Sequence, residues 1–243
     1  MTTAKPVYKR VILKISGETL GTLGGEAIDP TALLFLSGKI KEGVEAGVQL
    51  GIVCGGGNII RGKAAEAAGL ERTTADQMGM LATVVNSLAI RDVLEKDGVN
   101  ACLFSSLPIY PLAESYLPRR ARQALDRGEV AIFSGGTGNP FVSTDTAAVL
   151  RASDVGAGAV LKATKVDGIY TADPKIDPSA RKYDRISYDE ALERDLGIMD
   201  SPAIALAREN HIPVIVFDFW ADRSLRRVIM GEKIGTLMGR KTD

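Results

Sequence analysis

The densest group of residues suited to ligand binding occupies residues 134–145, which read Ser-Gly-Gly-Thr-Gly-Asn-Pro-Phe-Val-Ser-Thr-Asp. Three glycines allow the backbone to approach a ligand closely and to expose N–H groups. Hydroxyl and amide side chains add donors, and the segment leads into a predicted helix whose first N–H groups and positive dipole end attract anions. A tight turn alone would also use glycine, but a second glycine cluster elsewhere favours an anion site and, among anions, phosphate.

The second glycine cluster, residues 55–57, follows the apolar run 48–54 and precedes a predicted helix that carries Arg61 in its first turn. The guanidinium of Arg61 is expected to face the same anion as the glycines. The cluster is not a Walker A loop, because Gly-x-x-x-x-Gly-Lys-Ser/Thr is absent. It also lacks the dinucleotide fingerprint Gly-x-Gly-x-x-Gly, which disfavours an ordinary dinucleotide dehydrogenase.

Charged residues stand at the points where ligands are expected. Lys14 ends the first predicted strand, where open α/β sheets bind ligands, and Lys162 ends a later strand. Asp145 closes the glycine-rich segment, and we interpret it as a carboxylate that orients the lysines or helps to hold a metal. Asp76, near the start of a long helix, and Asp200, before Ser-Pro, would on local grounds be helix caps; contact of Asp200 with the lysines is the alternative.

Strand and helix patterns alternate along the chain, and the strands are mostly apolar. This order predicts an α/β protein, a three-layer αβα sandwich with a central, mainly parallel sheet. Strands are predicted over residues 8–15, 48–54, 99–104, 129–133, 158–162, 213–217 and 235–238, the last at an edge. Helices are predicted over residues 30–46, 73–96, 119–127 and 224–230, and after Ser187 and Ser201, and residues 146–152 are predicted to form the first turns of another.

Composition excludes several classes of protein. Lys and Arg number 30, as do Asp and Glu, so zero net charge argues against nucleic acid or an anionic membrane as a partner. No apolar run has membrane-spanning length, and no signal-peptide pattern opens the chain. The two cysteines lie in apolar runs and indicate a reducing, cytoplasmic compartment. The helix over 73–96 is apolar on more than one face, which predicts either a subunit interface or central burial.

Five motifs together resemble those of the bacterial uridylate kinases, a branch of the amino-acid-kinase superfamily. They are Lys14-Ile-Ser-Gly-Glu18, Gly55-Gly-Gly-Asn-Ile-Ile-Arg61, Asp76-Gln-Met-Gly-Met-Leu-Ala-Thr83, Thr137-Gly-Asn-Pro-Phe-Val-Ser-Thr-Asp145 and Leu161-Lys-Ala-Thr-Lys-Val-Asp-Gly168. The similarity covers about residues 6–237. Thr-Gly-Asn-Pro-Phe and Asp-x-Met-Gly-Met indicate the uridylate branch, whereas the other motifs are shared across the superfamily.

The resemblance implies the amino-acid-kinase fold and in-line phosphoryl transfer from ATP to UMP with Mg²⁺, the first phosphorylation after UMP in pyrimidine nucleotide (CTP) biosynthesis. Its metal ligands are unassigned. The implied catalytic residues are Lys14, Arg61, Asp145 and Lys162. The implied ATP-binding residues are Lys14, Ile15, Ser16, Gly17, Gly57, Arg61, Thr164, Tyr170 and Asp173. The implied UMP-binding residues are Gly56, Asp76, Thr137, Gly138, Asn139, Pro140, Phe141, Val142, Ser143 and Thr144. A single domain over 1–243 would have a monophosphate lobe, about 1–150, and an ATP lobe, about 151–243.

The resemblance also implies a homohexamer and inhibition by UTP through the UMP site. GTP activation is left open: Arg91 is present, but Glu95, Cys102 and Glu129 stand where more basic or polar residues are expected. Two other functions remain as alternatives. One is a nucleotide-sensing regulatory protein, against which the complete set of catalytic residues argues. The other is a related acid kinase acting on glutamate, aspartate or carbamate.

Overall fold

A computed structural model describes residues 5–21, 25–60, 69–174, 176–197 and 199–241. The strands are β1 (Arg10–Ile15), β2 (Gln49–Cys54), β3 (Ala101–Ser105), β4 (Glu114–Ser115), β5 (Val130–Ser134), β6 (Ala159–Thr164), β7 (Ile169–Tyr170), β8 (Lys182–Tyr183), β9 (Arg185–Ser187), β10 (Val214–Asp218) and β11 (Thr236–Gly239). The α-helices are α1 (Pro30–Glu45), α2 (Arg72–Lys96), α3 (Pro118–Asp126), α4 (Thr144–Val155), α5 (Tyr188–Glu193), α6 (Ser201–Glu209) and α7 (Ser224–Ile229). The helix predicted to open over residues 59–62 lies outside the described residues from residue 61 onward.

The main sheet has the order β4-β3-β5-β2-β1-β6-β10-β11-β9. Its neighbouring strands are parallel except for β10 and β11, so the predicted mainly parallel sheet is confirmed. The prediction that the strand near residues 235–238 forms an edge is wrong. The strand β9 pairs with its outer side, and a three-residue strand is too short to show a hydrophobic period.

Helices cover both faces of this sheet. The helices α1, α2 and α7 share one hydrophobic core with the strand side chains Val11, Leu13 and Ile15. The helices α3 to α6 share the other core, which receives Ile12 from the same strand. Alternate residues of β1 therefore point to opposite faces, and all six of its residues are buried. The predicted three-layer sandwich is confirmed.

Side-chain caps fix the helix starts that matter for the site. Asp29 accepts a hydrogen bond from Thr31 N at 2.8 Å and begins α1. Ser143 accepts from the N–H groups of Asp145 and Thr146, so α4 begins at Thr144, two residues before the predicted start. This earlier start places Asp145 in the first helical turn, over the end of the sheet.

Both faces of α2 are partly apolar, as its sequence suggested. Ile90 and Leu94 are fully buried, whereas Leu81 and Val85 are about half exposed, at 49% and 47%. One apolar face therefore belongs to the core and a second lies on the surface of the chain. In the described ranges, no helix combines the length and the apolar character needed to cross a membrane.

Candidate active site

The two glycine segments lie side by side at one end of the sheet. The strands β2 and β5 are parallel neighbours, so the glycines that follow them emerge at the same edge. The turn after β1 lies directly against the second glycine cluster, residues 55–57. A Cβ on Gly17 would stand 2.6 Å from Gly55 O and 2.9 Å from Gly57 N. Only glycine permits that approach, and the carboxyl ends of parallel strands, where both segments emerge, are where open α/β sheets bind ligands.

Lys14 and Lys162 are register partners on the adjacent strands β1 and β6, so their side chains leave the same face of the sheet. Asp145, from the first turn of α4, lies between them. Its Oδ1 is 2.8 Å from Lys14 Nζ and its Oδ2 is 2.8 Å from Lys162 Nζ. All three side chains are largely buried. The triad therefore carries one net positive charge at a site of low dielectric, where a charge acts strongly on a phosphoryl group.

The charges of the triad shift the pKa values of its members. Burial alone would raise the pKa of the Asp145 carboxyl, but the two lysines and their hydrogen bonds lower it below its ordinary value. Burial lowers the pKa of Lys162, and repulsion from Lys14 adds to that, while Asp145 offsets part of the shift. The carboxylate is therefore ionised at neutral pH, and Lys162 loses its proton at a lower pH than an ordinary lysine.

This shift predicts a pH effect on activity. Because an ammonium at Lys162 is expected to neutralise phosphate charge, kcat should fall on the alkaline side as the pH passes through a pKa below 10.5, the ordinary value. In Lys162→Arg the alkaline limb should move to higher pH, since a guanidinium stays protonated. The measurement is kcat from pH 6 to 10.5 for both proteins. Lys9 is exposed, so Lys9→Arg is the control and should not move the alkaline limb of the kcat profile.

The segment 135–141 is held in shape by its own and neighbouring side chains. Gly135 N donates to Thr83 Oγ1 of α2 at 2.8 Å, and Phe141 N donates to Asp76 Oδ2 at 2.8 Å. Asn139 N donates to Thr137 Oγ1 at 3.2 Å. These N–H groups are already used, so the expectation that the whole glycine-rich backbone faces a ligand is wrong for them. We call residues 135–144 the acceptor cradle.

The local pattern suggested that Asp76 caps its helix, but it does not. The residue that precedes α2 is Glu71, and Asp76 stands in the second turn. Its carboxylate binds Phe141 N of the acceptor cradle and forms an ion pair with Arg72 Nε at 2.9 Å. The Arg72 guanidinium also lies 5.4 Å from the centre of the exposed Phe141 ring. Phe141 has a left-handed φ of 65°, a conformation that this carboxylate helps to hold.

Given the UMP-binding role that the resemblance implies for Asp76, replacing it by asparagine should weaken the binding of UMP more than that of ATP. We expect KM for UMP to rise about 10- to 100-fold, the effect of losing roughly 1.5–3 kcal/mol from a hydrogen bond to a charged group, with KM for ATP unchanged. Initial rates with each substrate varied give both constants. Asp92→Asn, an exposed acid on the same helix paired with Lys96, is the control. A parallel rise of both constants would contradict a role confined to the acceptor.

Three of the residues predicted to bind ATP line one pocket of about 720 Å³. Thr164, Tyr170 and Asp173 lie in it together, and Lys162 lines it as well. Its other wall is the segment 194–197 after α5, which carries no binding motif and was not predicted. We call this cavity the donor pocket.

The remaining predicted site residues occupy different surroundings. Gly56 packs on α2, where a Cβ would stand 2.7 Å from Gly79 O, whereas Gly57 has open space around it. The Ile15 side chain is fully buried and its carbonyl accepts from Gly55 N, so Ile15 has no side chain to offer ATP. Ser16 caps the short 3₁₀ helix Gly17–Thr19. Arg61 lies outside the described residues.

Asp200 corrects a local prediction. It precedes α6, but its side chain makes no capping hydrogen bond. Its carboxylate instead accepts from Thr146 Oγ1 at 3.1 Å, and its charge raises the pKa of Lys162. The helix-cap interpretation is therefore wrong for the side chain, because a hydroxyl of α4 competes for it, and Asp200 belongs to the electrostatic surroundings of the triad.

The sequence analysis also missed a buried polar residue that supports the second glycine cluster, residues 55–57. Asn86, fully buried on α2, donates to Gly55 O at 2.8 Å and exchanges hydrogen bonds with Asn58. Thr83, Asn86, Ser87 and Ile90 recur at helical spacing on the buried side of α2. Three polar residues on a core-facing stripe are the signal that could have identified them.

Comparison with known proteins agrees with this geometry. The sequence profile of the amino acid kinase family matches residues 9–218. A uridylate kinase of Marinobacter nauticus is 51% identical over 96% of this chain and 97% of that protein, and one of Klebsiella pneumoniae is 50% identical over 98% of each. The crystal structure of UMP kinase from Bacillus anthracis superposes with a TM-score of 0.94 at 38% identity, covering 97% of each chain. The chain belongs to the amino acid kinase family and, within it, to the uridylate kinases.

Proposed function

We propose that this chain is a kinase that transfers the γ-phosphoryl group of ATP to UMP and releases UDP and ADP. The observation that carries the proposal is the triad of Lys14, Asp145 and Lys162, which lies between the acceptor cradle and the donor pocket. Relatives that share half of the sequence over nearly its full length are uridylate kinases. The reaction is the first phosphorylation after UMP in pyrimidine nucleotide biosynthesis.

The mechanism needs little covalent chemistry from the protein. The attacking UMP phosphate is already an anion, so no general base is required, and catalysis consists of alignment and charge neutralisation. Lys14 and Lys162 supply two ammonium groups that the Asp145 carboxylate holds apart and fixes in direction. Because Asp145 stays ionised, it stabilises both ammonium groups without removing their charge from the phosphoryl path.

Magnesium is proposed to enter with ATP. Among the described residues, no group of three or more His, Cys, Asp or Glu side chains could hold a metal, and both oxygens of Asp145 are engaged by lysines. Such a site fits Mg²⁺ bound mainly by nucleotide phosphates and water, as is common for this ion. When bound, the ion supplies positive charge to the transferring phosphate.

We propose that the chain is a single domain with two lobes. The acceptor cradle and Asp76 belong to the lobe over about 1–150, which would bind UMP. Thr164, Tyr170 and Asp173 belong to the lobe over about 151–243, which would bind the adenosine of ATP. Lys14 belongs to the first lobe and Lys162 to the second. Their strands, β1 and β6, are neighbours in the sheet, which fits a reaction centre between the lobes.

The proposal extends to assembly and control. The exposed Leu81 and Val85 of α2 support association of subunits, which we propose reaches a homohexamer in the cytoplasm. UTP is proposed to inhibit by occupying the UMP site. GTP activation has less support, because Glu129 accepts from the Cys102 thiol at 2.6 Å and pairs with Arg127 at 2.7 Å. Burial, the hydrogen bond and the charge of Glu129 raise the pKa of that thiol to about 11, so this patch presents a neutral thiol where an added cation would favour GTP.

The deciding experiment mixes the protein and Mg-ATP separately with UMP, CMP, glutamate, aspartate and carbamate, and follows ADP. Formation of ADP with UMP supports the proposal. ADP with an acid acceptor and none with UMP would make the chain a related acid kinase. Nucleotide binding without ADP from any acceptor would make it a nucleotide sensor.

A further inference from the structure

A buried arginine lies directly behind the acceptor cradle. Arg151, in the second turn of α4, is only 4% exposed. Its Nη2 donates to Gly136 O at 3.2 Å and to Ser106 Oγ at 2.7 Å. Ser106 Oγ in turn donates to the same Gly136 carbonyl at 3.0 Å. Two donors therefore converge on one backbone oxygen of the cradle.

The guanidinium is itself held from the far side. Its plane lies over the ring of Tyr116, with Arg151 Cζ 3.8 Å from the ring centre. Asp154 Oδ2 accepts from Arg151 Nη1 at 3.0 Å and from the Tyr116 hydroxyl at 2.7 Å. The network joins α4 to the segments that follow β3 and β4, so the position of the guanidinium is determined by three parts of the fold.

Such a group is expensive to bury. A charged side chain removed from water costs free energy that a well-packed apolar residue would not, and Arg151 Nε has no hydrogen-bond partner among the described residues. Packing alone would not require a guanidinium here. The position does require a rigid donor to the carbonyl of Gly136, which has a left-handed φ of 58°.

The peptide bond between Gly136 and Thr137 links the direction of the Gly136 carbonyl to that of the Thr137 N–H. In a trans peptide the carbonyl of one residue and the N–H of the next point in opposite directions. Because the Gly136 carbonyl points to Arg151, the N–H of Thr137 points in the opposite direction, away from Arg151. Thr137 is one of the residues predicted to bind UMP.

We propose that Arg151 is a positioning residue for the acceptor nucleotide, which aims the Thr137 N–H at bound UMP by fixing the Gly136 carbonyl. The inference rests on the proposed function and identifies a residue that makes no contact with substrate. It predicts a loss specific to the acceptor, because the residues that line the donor pocket include none of this network.

The test is Arg151→Met, which keeps an unbranched side chain over Tyr116 but removes the donors. We expect kcat/KM for UMP to fall roughly 10- to 100-fold, as expected for a displacement of about 1 Å in a binding group, with KM for ATP unchanged. In the ligand-free protein, amide hydrogen exchange should accelerate at residues 135–141. Arg151→Lys should give an intermediate loss, since it restores one donor without the fork.

Arg10→Met is the matched control. Arg10 is a second buried arginine, 9% exposed and ion-paired with Asp126 at 2.7 Å, but it stands at the opposite end of β1. The Arg10→Met protein should be less stable than the wild type, but its kcat/KM for UMP and the amide exchange of the acceptor cradle should be unchanged. If Arg151→Met does not fold, Ser106→Ala decides, because it removes one donor to Gly136 at little cost in packing.

Unchanged UMP kinetics and unchanged exchange in these variants would overturn the inference, as would equal rises of KM for UMP and ATP. Failure of the proposed function would be recognised separately, because the wild-type protein would then form no ADP with UMP. The exchange measurement needs no substrate, so it tests the Arg151 contact in either case.

Discussion

Replacing Lys14 by alanine is expected to lower kcat by about 100- to 1,000-fold, the cost of removing one pre-positioned donor from a developing charge. Lys14 Nζ lies at the end of β1, 2.8 Å from Asp145, in largely buried surroundings. There an ammonium acts on phosphate charge with little screening. KM for UMP should change much less, because the cradle and Asp76 remain in place.

The measurement for Lys14→Ala is initial rates of ADP formation with each substrate varied, together with equilibrium binding of UMP. Lys9→Ala is the control, since Lys9 is an exposed lysine just before the same strand and should leave all constants unchanged. Turnover at the wild-type rate in Lys14→Ala would remove this lysine from the mechanism.

Replacing Asp145 by asparagine is expected to reduce kcat by a similar factor for a different reason. The two ammonium groups, each now 2.8 Å from a carboxylate oxygen, would face each other without the carboxylate that lies between them. Lys162 would then lose its proton at still lower pH, so the alkaline limb of kcat should move down. Asp189→Asn, at an exposed ion pair with Arg208, is the control and should leave kcat and the limb unchanged.

The same substitution should alter stability in a pH-dependent manner. The pKa of Asp145 is lowered on folding, so its stabilising contribution is complete above the ordinary carboxyl pKa of 3.8 and is lost as the pH falls through the folded value. The wild-type protein should therefore be more stable than Asp145→Asn at pH 7, and the difference should shrink below about pH 4. Thermal unfolding at pH 7 and pH 3.5 checks this. A difference that persists unchanged in acid would contradict the ionised triad.

Much of the scaffold could be predicted because its signals are local. The apolar runs of β1, β2, β5 and β6 and the caps at Asp29 and Ser187 depend on neighbouring residues. The structure places the ends that were predicted for the long strands and helices within two residues of the prediction. Lysine at the end of a strand and glycines after strands also predicted which end of the sheet carries the site.

What could not be predicted depends on pairing between distant segments. The register of Lys14 with Lys162 results from the parallel pairing of β1 and β6, which no local pattern specifies. Arg151 resembles a solvated helix residue until the packing of α4 is known. The wall of the donor pocket at residues 194–197 comes from a turn with no binding motif. In each case the position is set by tertiary packing and not by propensity.

The most direct test of the account is inhibition by a single molecule that carries adenosine and uridine joined through a chain of phosphates. If the cradle and the donor pocket face one phosphoryl path past Lys14 and Lys162, the wild-type protein should bind it competitively against both ATP and UMP, and more tightly than either substrate. Competition against ATP alone, with UMP still able to bind, would show that the two sites do not meet at the triad and would contradict the account.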